Sequence, residues 1–224
     1  MNTENLARAI VHWLAYERLC NREHLLSESM LTVPVGQFLN STQKLRVEAE
    51  LRYPAQQVRR GRPRQMDFAL IRRGERTVAH VVESKWITDD RDFKQEIFDD
   101  LLRLETCEYQ DDEGRWFIVA GEQRHIDFSI RNTHLNTGNG QILAFNQVLS
   151  FDVAQPRLNV RVADAADALK VLWRSAAERL GQLLLPLSIT SSLITSAQSG
   201  NAATDFQCLI WQIQSVRNRV TRLI

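Results

Sequence analysis

Two apolar segments near the middle of the chain constrain its fold most, because each places charged residues inside a run that should be buried. Residues 65–72 and 77–86 are both predicted to be strands, and both are rich in apolar residues. The first carries Asp67 near its start, and the second carries Glu83 and Lys85 near its end. Side chains alternate across a strand, so Glu83 and Lys85 share one face. If the two strands pair as a hairpin, Asp67 lies beside them at a sheet edge.

This combination of charges predicts a particular chemistry. Two close carboxylates repel each other and are costly to bury unless a cation lies between them. Hard oxygen ligands of this kind suit magnesium or manganese. A lysine beside such a metal can orient or deprotonate a water, or stabilise a developing negative charge. The pattern therefore predicts metal-assisted phosphodiester cleavage. The alternative is a purely structural ion-pair group at the end of a sheet.

The surrounding periodicity predicts the order helix, three strands, helix, strand, and hence an α/β domain with a mixed central sheet flanked by helices. Its predicted helices span residues 4–19, 23–30, 35–39 and 91–105, and its predicted strands span residues 44–53, 65–72, 77–86 and 115–120.

This order, with Asp67 in one strand and Glu83-x-Lys85 in the next, resembles the PD-(D/E)xK nuclease superfamily, whose core is the restriction-endonuclease-like fold. The resemblance covers residues 23–122, and Met66 stands where that family usually has proline. It implies a Mg²⁺- or Mn²⁺-dependent deoxyribonuclease. Asp67 and Glu83 would be metal ligands and Lys85 the general base or water-positioning group. The resemblance also implies that the carbonyl of Ser84 is a third ligand.

The resemblance implies further site residues. Many members of the superfamily add an acidic residue from the helix before the first strand, and Glu28 is the choice here; its rivals are Glu17, Glu48 and Glu50. Polar residues one turn into the helix after the motif can contact phosphate or water. Lys94 and Gln95 occupy those positions, with a solvated face as the alternative. Later in that helix, Arg103 is expected to pair with Asp99 or Asp100.

Charge is unevenly distributed along the chain, although the formal net charge is only +1. Residues 44–76 contain ten basic and four acidic residues, a local charge of +6, whereas residues 83–113 contain four basic and twelve acidic ones, a local charge of −8. Four arginines crowd a Gly- and Pro-containing loop just before Asp67: Arg59, Arg60, Arg62 and Arg64. Arginine forks match phosphate geometry, so we expect this arginine loop to contact DNA backbone. A solvated hairpin tip is the alternative.

The C-terminal part is predicted as a strand over 142–151, a helix over 165–185 and a hairpin of strands 187–197 and 206–216. We expect residues 1–160 to form the nuclease-like core and residues 161–224 to pack on it. The apolar hairpin strands are not stable alone in water, so we expect the hairpin to pack against the 165–185 helix.

Composition narrows the setting. The three cysteines form no metal-binding or disulfide pattern, and neither a secretory signal nor a membrane-spanning run is present, so we expect a cytoplasmic protein with no membrane partner. Three functions stay open: a DNA endonuclease or exonuclease, a non-catalytic nucleic-acid-binding or assembly module on the same fold, and a nuclease subunit of a bacterial defence system whose protein partner supplies specificity. A homodimer is open as well.

Overall fold

A seven-stranded mixed sheet organises the chain. The computed structural model describes residues 1–42, 45–52, 65–72, 74, 78–88, 92–107, 114–137, 140–180 and 186–214. Its helices are α1 (Thr3–Leu19), α2 (Glu28–Thr42), α3 (Lys94–Thr106), α4 (Gln123–Ile126) and α5 (Asp167–Arg179). Its strands are β1 (Arg46–Arg52), β2 (Gln65–Ile71), β3 (Val78–Ile87), β4 (Arg115–Glu122), β5 (His134–Thr137), β6 (Gly140–Leu143), β7 (Arg157–Arg161), β8 (Ser188–Gln198) and β9 (Phe206–Gln214).

The strand order of the sheet is β1-β2-β3-β4-β9-β8-β7, and β5 and β6 form a separate hairpin. Strands β3 and β4 run parallel and are joined by the crossover helix α3, whereas every other pair in the sheet is antiparallel. The predicted α/β class, with a mixed central sheet flanked by helices, is confirmed. The chain also shows the predicted order of helix, three antiparallel strands, helix and a fourth strand.

Each face of the sheet carries its own apolar layer. On one face, α1 and α2 pack against alternate strand residues such as Phe68 and Val82. On the other, α3, α5 and the turn after β4 pack against Val81 and Phe117. Because strand side chains alternate, Lys85 lies on the same face as Val81 and therefore faces the α3 layer.

Pro34 does not interrupt the second helix, and this part of the prediction is wrong. The first predicted segment begins as a separate 3₁₀ turn at Glu23–Leu25, and one continuous helix, α2, then runs from Glu28 through Pro34 and the second predicted segment. The proline costs one helical hydrogen bond because it has no N–H. Leu31, Val35 and Leu39, spaced four residues apart, are completely buried against the sheet. This packing holds the helix together across the proline.

The predicted strand over 142–151 is also wrong. Strand β6 ends at Leu143, and a short 3₁₀ turn follows at Phe145–Gln147. Phe145, Val148 and Leu149 are fully buried. Their spacing of three and four residues is that of a helical turn, not the alternation of a strand. The short edge strand β7 was missed because only two of its five residues are apolar.

The C-terminal hairpin extends the sheet, because β9 pairs along β4 from Trp116↔Gln212 to Glu122↔Phe206. The hairpin was expected to pack against the 165–185 helix, but α5 has its aromatic contact with α3 instead. Trp173 of α5 packs on Phe98 of α3, with ring centroids 4.4 Å apart. The hairpin and α5 still share one apolar layer. Pairing with β4 satisfies the backbone groups that a free sheet edge would expose.

The cysteines are all free; Cys107 and Cys208 are buried and Cys20 is partly exposed. Burial raises the pKa of the Cys208 thiol, so it stays protonated. Within the described part of the chain, no helix is both long and apolar enough to cross a bilayer.

Gly114 sets the close approach of β4 to β3. Its carbonyl oxygen accepts a hydrogen bond from the Val81 N–H at 2.6 Å. A Cβ atom at Gly114 would overlap the carbonyl oxygen of Ala79. Gly114→Ala should therefore lower the free energy of unfolding by about 1–3 kcal/mol, because the strand start must shift.

The matched control is Gly36→Ala in α2, where the new Cβ would lie 3.3 Å from a ring carbon of Phe68. There the gain in helix propensity, about 1 kcal/mol, offsets the tight contact. Urea unfolding of both variants tests the comparison. A larger loss for Gly36→Ala than for Gly114→Ala would contradict it.

Candidate functional site

The candidate site begins where β2 and β3 separate. The two strands pair from Ile71↔Val78 to Phe68↔Val82, and Asp67 is the next residue of β2. Its Oδ2 accepts hydrogen bonds from the backbone N–H of Ser84, at 2.7 Å, and from the Ser84 hydroxyl, at 2.8 Å. In a continued β2–β3 ladder the Ser84 N–H would donate to a main-chain carbonyl of β2. Here the Asp67 carboxylate accepts that hydrogen bond instead.

The ammonium group of Lys85 lies at the centre of the site. Its Nζ is 3.1 Å from Glu28 Oε1, 3.2 Å from Asp100 Oδ2 and 3.8 Å from Glu96 Oε2. It donates a hydrogen bond to Glu28. The contact with Asp100 is an ion pair without hydrogen-bond geometry, since Asp100 Oδ2 accepts no hydrogen bond. Carboxylates from α2 and from α3 therefore converge on one strand residue.

Arg103 supplies a second cation. It forms an ion pair with Asp100, one helical turn earlier in α3, and its Nη2 lies 3.9 Å from Glu83 Oε2. Arg103 thereby ties Glu83 of β3 to α3. Of the two partners predicted for Arg103, Asp100 is the one with which it pairs. The other, Asp99, pairs with Arg179 of α5 at 3.0 Å.

Among the described side chains at this site, carboxylates outnumber cations. Lys85 and Arg103 contribute two formal positive charges, and five carboxylates contribute five negative ones. Those carboxylates are Glu28, Asp67, Glu83, Glu96 and Asp100. Attraction between such carboxylates and a cation is stronger in a partly buried site than in water.

The acidic cluster has a buried floor and an open rim. Side-chain exposure is 7% for Lys85, 3% for Glu83 and 2% for Asp100. Glu28 and Glu96 are 39% and 42% exposed. The cluster therefore has three almost completely buried charged groups beneath two carboxyl side chains that are partly exposed.

Few side chains are placed to hold a metal. Within the described residues, no group of three or more His, Cys, Asp or Glu side chains has the geometry to hold a metal ion. The oxygen atoms near the strand separation form a smaller set. Asp67 Oδ1 accepts no hydrogen bond from the described residues. Continued register places Asp67 opposite Glu83. The Ser84 carbonyl points to the same strand edge as its N–H, towards β2.

The donor chemistry of that set fits a hard divalent cation: two carboxylates and one main-chain oxygen. The remaining coordination positions would be filled by water, as is usual for Mg²⁺.

The other predicted site residues differ in how they lie relative to the separation of β2 and β3. Glu28 meets Lys85, as described. Lys94 Nζ pairs with Asp92 at 2.7 Å. The Gln95 amide nitrogen donates to the Leu172 carbonyl of α5 at 3.2 Å, so it points to α5 and away from Lys85. The four arginines of the arginine loop (Arg59, Arg60, Arg62 and Arg64) lie outside the described residues.

The rivals of Glu28 have other roles. Glu17 is held by Arg22 at 2.6 Å. Glu48 pairs with Arg46 at 2.8 Å on the edge strand β1, where Glu50 is exposed.

Sequence reasoning missed Glu96 and Asp100 as site residues and gave Arg103 only a role within its helix. Their spacing of four and three residues puts all three on one face of α3. That spacing was the available signal. A crossover helix packs against the strand that precedes it, so this spacing could have indicated that the shared face of α3 lies against β3.

Comparison with protein-family models, with curated proteins and with solved structures finds no match.

Removing the central ammonium tests the electrostatic role of Lys85. Lys85→Met keeps most of the apolar stem but leaves the buried Asp100 and Glu83 with one fewer cation. We expect the free energy of unfolding to fall by about 3 kcal/mol, as for loss of one partner from a buried ion pair.

The control is Lys170→Met, because Lys170 pairs at 3.3 Å with Asp167, a side chain that is 99% exposed. We expect a change within about 0.5 kcal/mol there. Urea unfolding at low and high salt measures both variants. Equal losses would mean that the cluster around Lys85 contributes no more than a surface pair.

Proposed function

We propose that this chain is a metal-dependent nuclease of the PD-(D/E)xK superfamily that hydrolyses DNA phosphodiester bonds with Mg²⁺ or Mn²⁺. Strands β1 to β4 with α2 and α3 would form its restriction-endonuclease-like core. One observation carries the proposal. The Asp67 carboxylate turns onto Ser84 where β2 and β3 separate, at the strand positions next to Glu83 and Lys85.

In this proposal each residue has a defined task. Asp67, Glu83 and the Ser84 carbonyl hold the cation. A bound divalent cation supplies charge neutralisation at the scissile phosphate and lowers the pKa of its bound water. Lys85 orients the attacking water or stabilises charge on the phosphate. For that, its ammonium would exchange one of its carboxylate partners, Glu28 or Glu96, for the substrate.

A second candidate function is a non-catalytic nucleic-acid-binding or assembly module on the same fold. It is favoured by the three carboxylates that already surround Lys85, since such a group can serve the fold alone. The two candidates differ in metal binding and in turnover. Both would be compatible with a location in the cytoplasm and with a protein partner that supplies specificity.

The first test is incubation with linear, circular and single-stranded DNA, with and without Mg²⁺ or Mn²⁺. We expect cleavage that requires the metal. Asp67→Asn and Glu83→Gln should abolish it, because each removes a charged ligand. Lys85→Arg keeps the positive charge for the ion pairs but misplaces the donor, so cleavage should slow by about 10²- to 10⁴-fold.

Thermal unfolding with Mn²⁺ separates binding from chemistry. Saturating metal should raise the melting temperature of the native chain and of Lys85→Arg, but not of Asp67→Asn. Lys170→Arg is the control for the lysine change. Full cleavage by Lys85→Arg would contradict the assigned role of Lys85. Metal binding without any cleavage would favour the non-catalytic module.

A second test concerns the arginine loop, which we propose contacts phosphates without reading sequence. Replacing Arg59, Arg60, Arg62 and Arg64 with alanine should weaken duplex binding and flatten its dependence on salt. Each lost phosphate contact should lower the slope of log affinity against log salt by about 0.9. Fluorescence anisotropy over a salt series measures it, and an unchanged slope would place the phosphate contacts elsewhere.

A further inference from the structure

The turn after β4 exposes an aromatic side chain near the acidic cluster. After the short helix α4, residues Asp127–Arg131 continue as a π-helical turn. Phe128 on this turn is 69% exposed. Among the described residues, Tyr16 of α1 is the only other exposed aromatic side chain, at 56%. A single exposed apolar side chain is common on protein surfaces, so the groups around the Phe128 ring decide what it can bind.

The π-helical turn is anchored to the strand that carries Lys85. Ser129 donates a hydrogen bond to the Thr88 carbonyl at 3.0 Å. Thr88 directly follows β3 and is three residues beyond Lys85, or about 10 Å along an extended chain. Because β3 and β4 are parallel, their carboxyl ends meet at one edge of the sheet. Phe128 therefore lies within the reach of a few nucleotides from Lys85.

The turn also lies on the correct face. Ile126 and Ile130, on either side of Phe128, are fully buried in the same apolar layer as α3. Lys85 points into this layer from the strand. The buried isoleucines hold the turn, so the ring of Phe128 is presented from a rigid base. The Thr133 hydroxyl strengthens this base by donating a hydrogen bond to the Ser129 carbonyl at 2.6 Å, with the Phe128 carbonyl as a more distant acceptor at 3.2 Å.

Two arginines flank the exposed ring. Arg124 precedes Phe128 by four residues and Arg131 follows it by three, so each lies about one helical turn away. Arg124 is 55% exposed and pairs with Glu122, and Arg131 pairs with Asp127. A guanidinium has five donors, so each arginine keeps donors for a phosphate while paired. Aromatic rings that stack on bases and cations that contact phosphates are the two kinds of group that sites for single-stranded nucleic acid combine.

We infer that Phe128 stacks on an unpaired base of the DNA strand that enters the site, and so gives the enzyme a preference for single-stranded or frayed DNA. This inference rests on the proposed nuclease function and deepens it by naming the substrate form. A stacked base requires an accessible π-face, which a base inside an intact duplex does not offer. The ring thus acts in specificity and has no part in the bond-breaking step.

Binding without cleavage tests the inference most directly. The probe is a fluorescently labelled oligothymidylate of about 15 nucleotides, a length within the usual range for single-strand sites. Anisotropy is measured in EDTA, so that no metal-dependent cleavage occurs. Phe128→Ala and Phe128→Leu should each weaken binding by at least about fivefold, as for the loss of one stacked base. Phe128→Trp should retain the native affinity.

Matched controls separate stacking from other effects. Tyr16→Leu removes the other exposed aromatic side chain, which lies on the opposite layer of the sheet, and should leave affinity unchanged. Phe128→Leu should weaken the binding of a blunt duplex of the same length by less than twofold. The salt dependence should stay the same, since a ring carries no charge. Urea unfolding should be unaltered, because the replaced side chain is exposed.

Several outcomes would overturn the inference. Native affinity in Phe128→Leu would do so, because leucine is apolar but cannot stack. An equal loss for Tyr16→Leu would do so as well, and so would failure of the native chain to bind the oligothymidylate. These failures differ from failure of the nuclease proposal. If the native chain cleaves DNA but the Phe128 variants bind normally, only the stacking role is lost. If Phe128 matters for binding but no metal supports cleavage, the stacking surface stands and the nuclease proposal fails.

Discussion

The ion contacts of Lys85 join all three layers of the molecule. Lys85 belongs to the central strand β3, Glu28 reaches it from α2, and Glu96 and Asp100 reach it from α3. The two apolar layers are otherwise separated by the sheet. This one ammonium is therefore where the helices on opposite faces meet a common partner. Its position depends on the separation of β2 from β3, which gives Glu28 access to the edge of β3.

Such a group is costly for a fold to keep. The attraction within a buried ion pair compensates for the lost hydration only when the geometry is good. Proteins in which apolar residues replace such a pair are often at least as stable. Among the described side chains, five carboxylates and two cations meet in this cluster. Asp100 and Glu83 are almost completely buried, so removal of a neighbouring cation, Lys85 or Arg103, leaves a buried charge without full compensation.

Much of the architecture could be predicted from the sequence, because strands and amphipathic helices follow from periodicity. The strands of Asp67 and Lys85 and the crossover helix α3 were all located within a few residues. The failures have local causes. Pro34 is tolerated because packing outweighs one lost hydrogen bond, and residues after Leu143 bury their apolar groups by a helical turn. The site was harder to predict from the sequence. Asp67, Glu83 and Lys85 lie close in sequence, but Glu96 and Asp100 join them only through the packing of α3.

The position of β4 has a consequence for how the chain folds. This strand lies in the middle of the finished sheet, between β3 and β9. Strand β9 begins at Phe206, which is 84 residues after β4 ends at Glu122. During synthesis, β4 can pair with β3 long before β9 emerges from the ribosome. Until then one edge of the central sheet offers its amide and carbonyl groups to any other strand. Pairs so distant in sequence form slowly. The last described strand therefore also covers the sheet edge that β4 would otherwise expose.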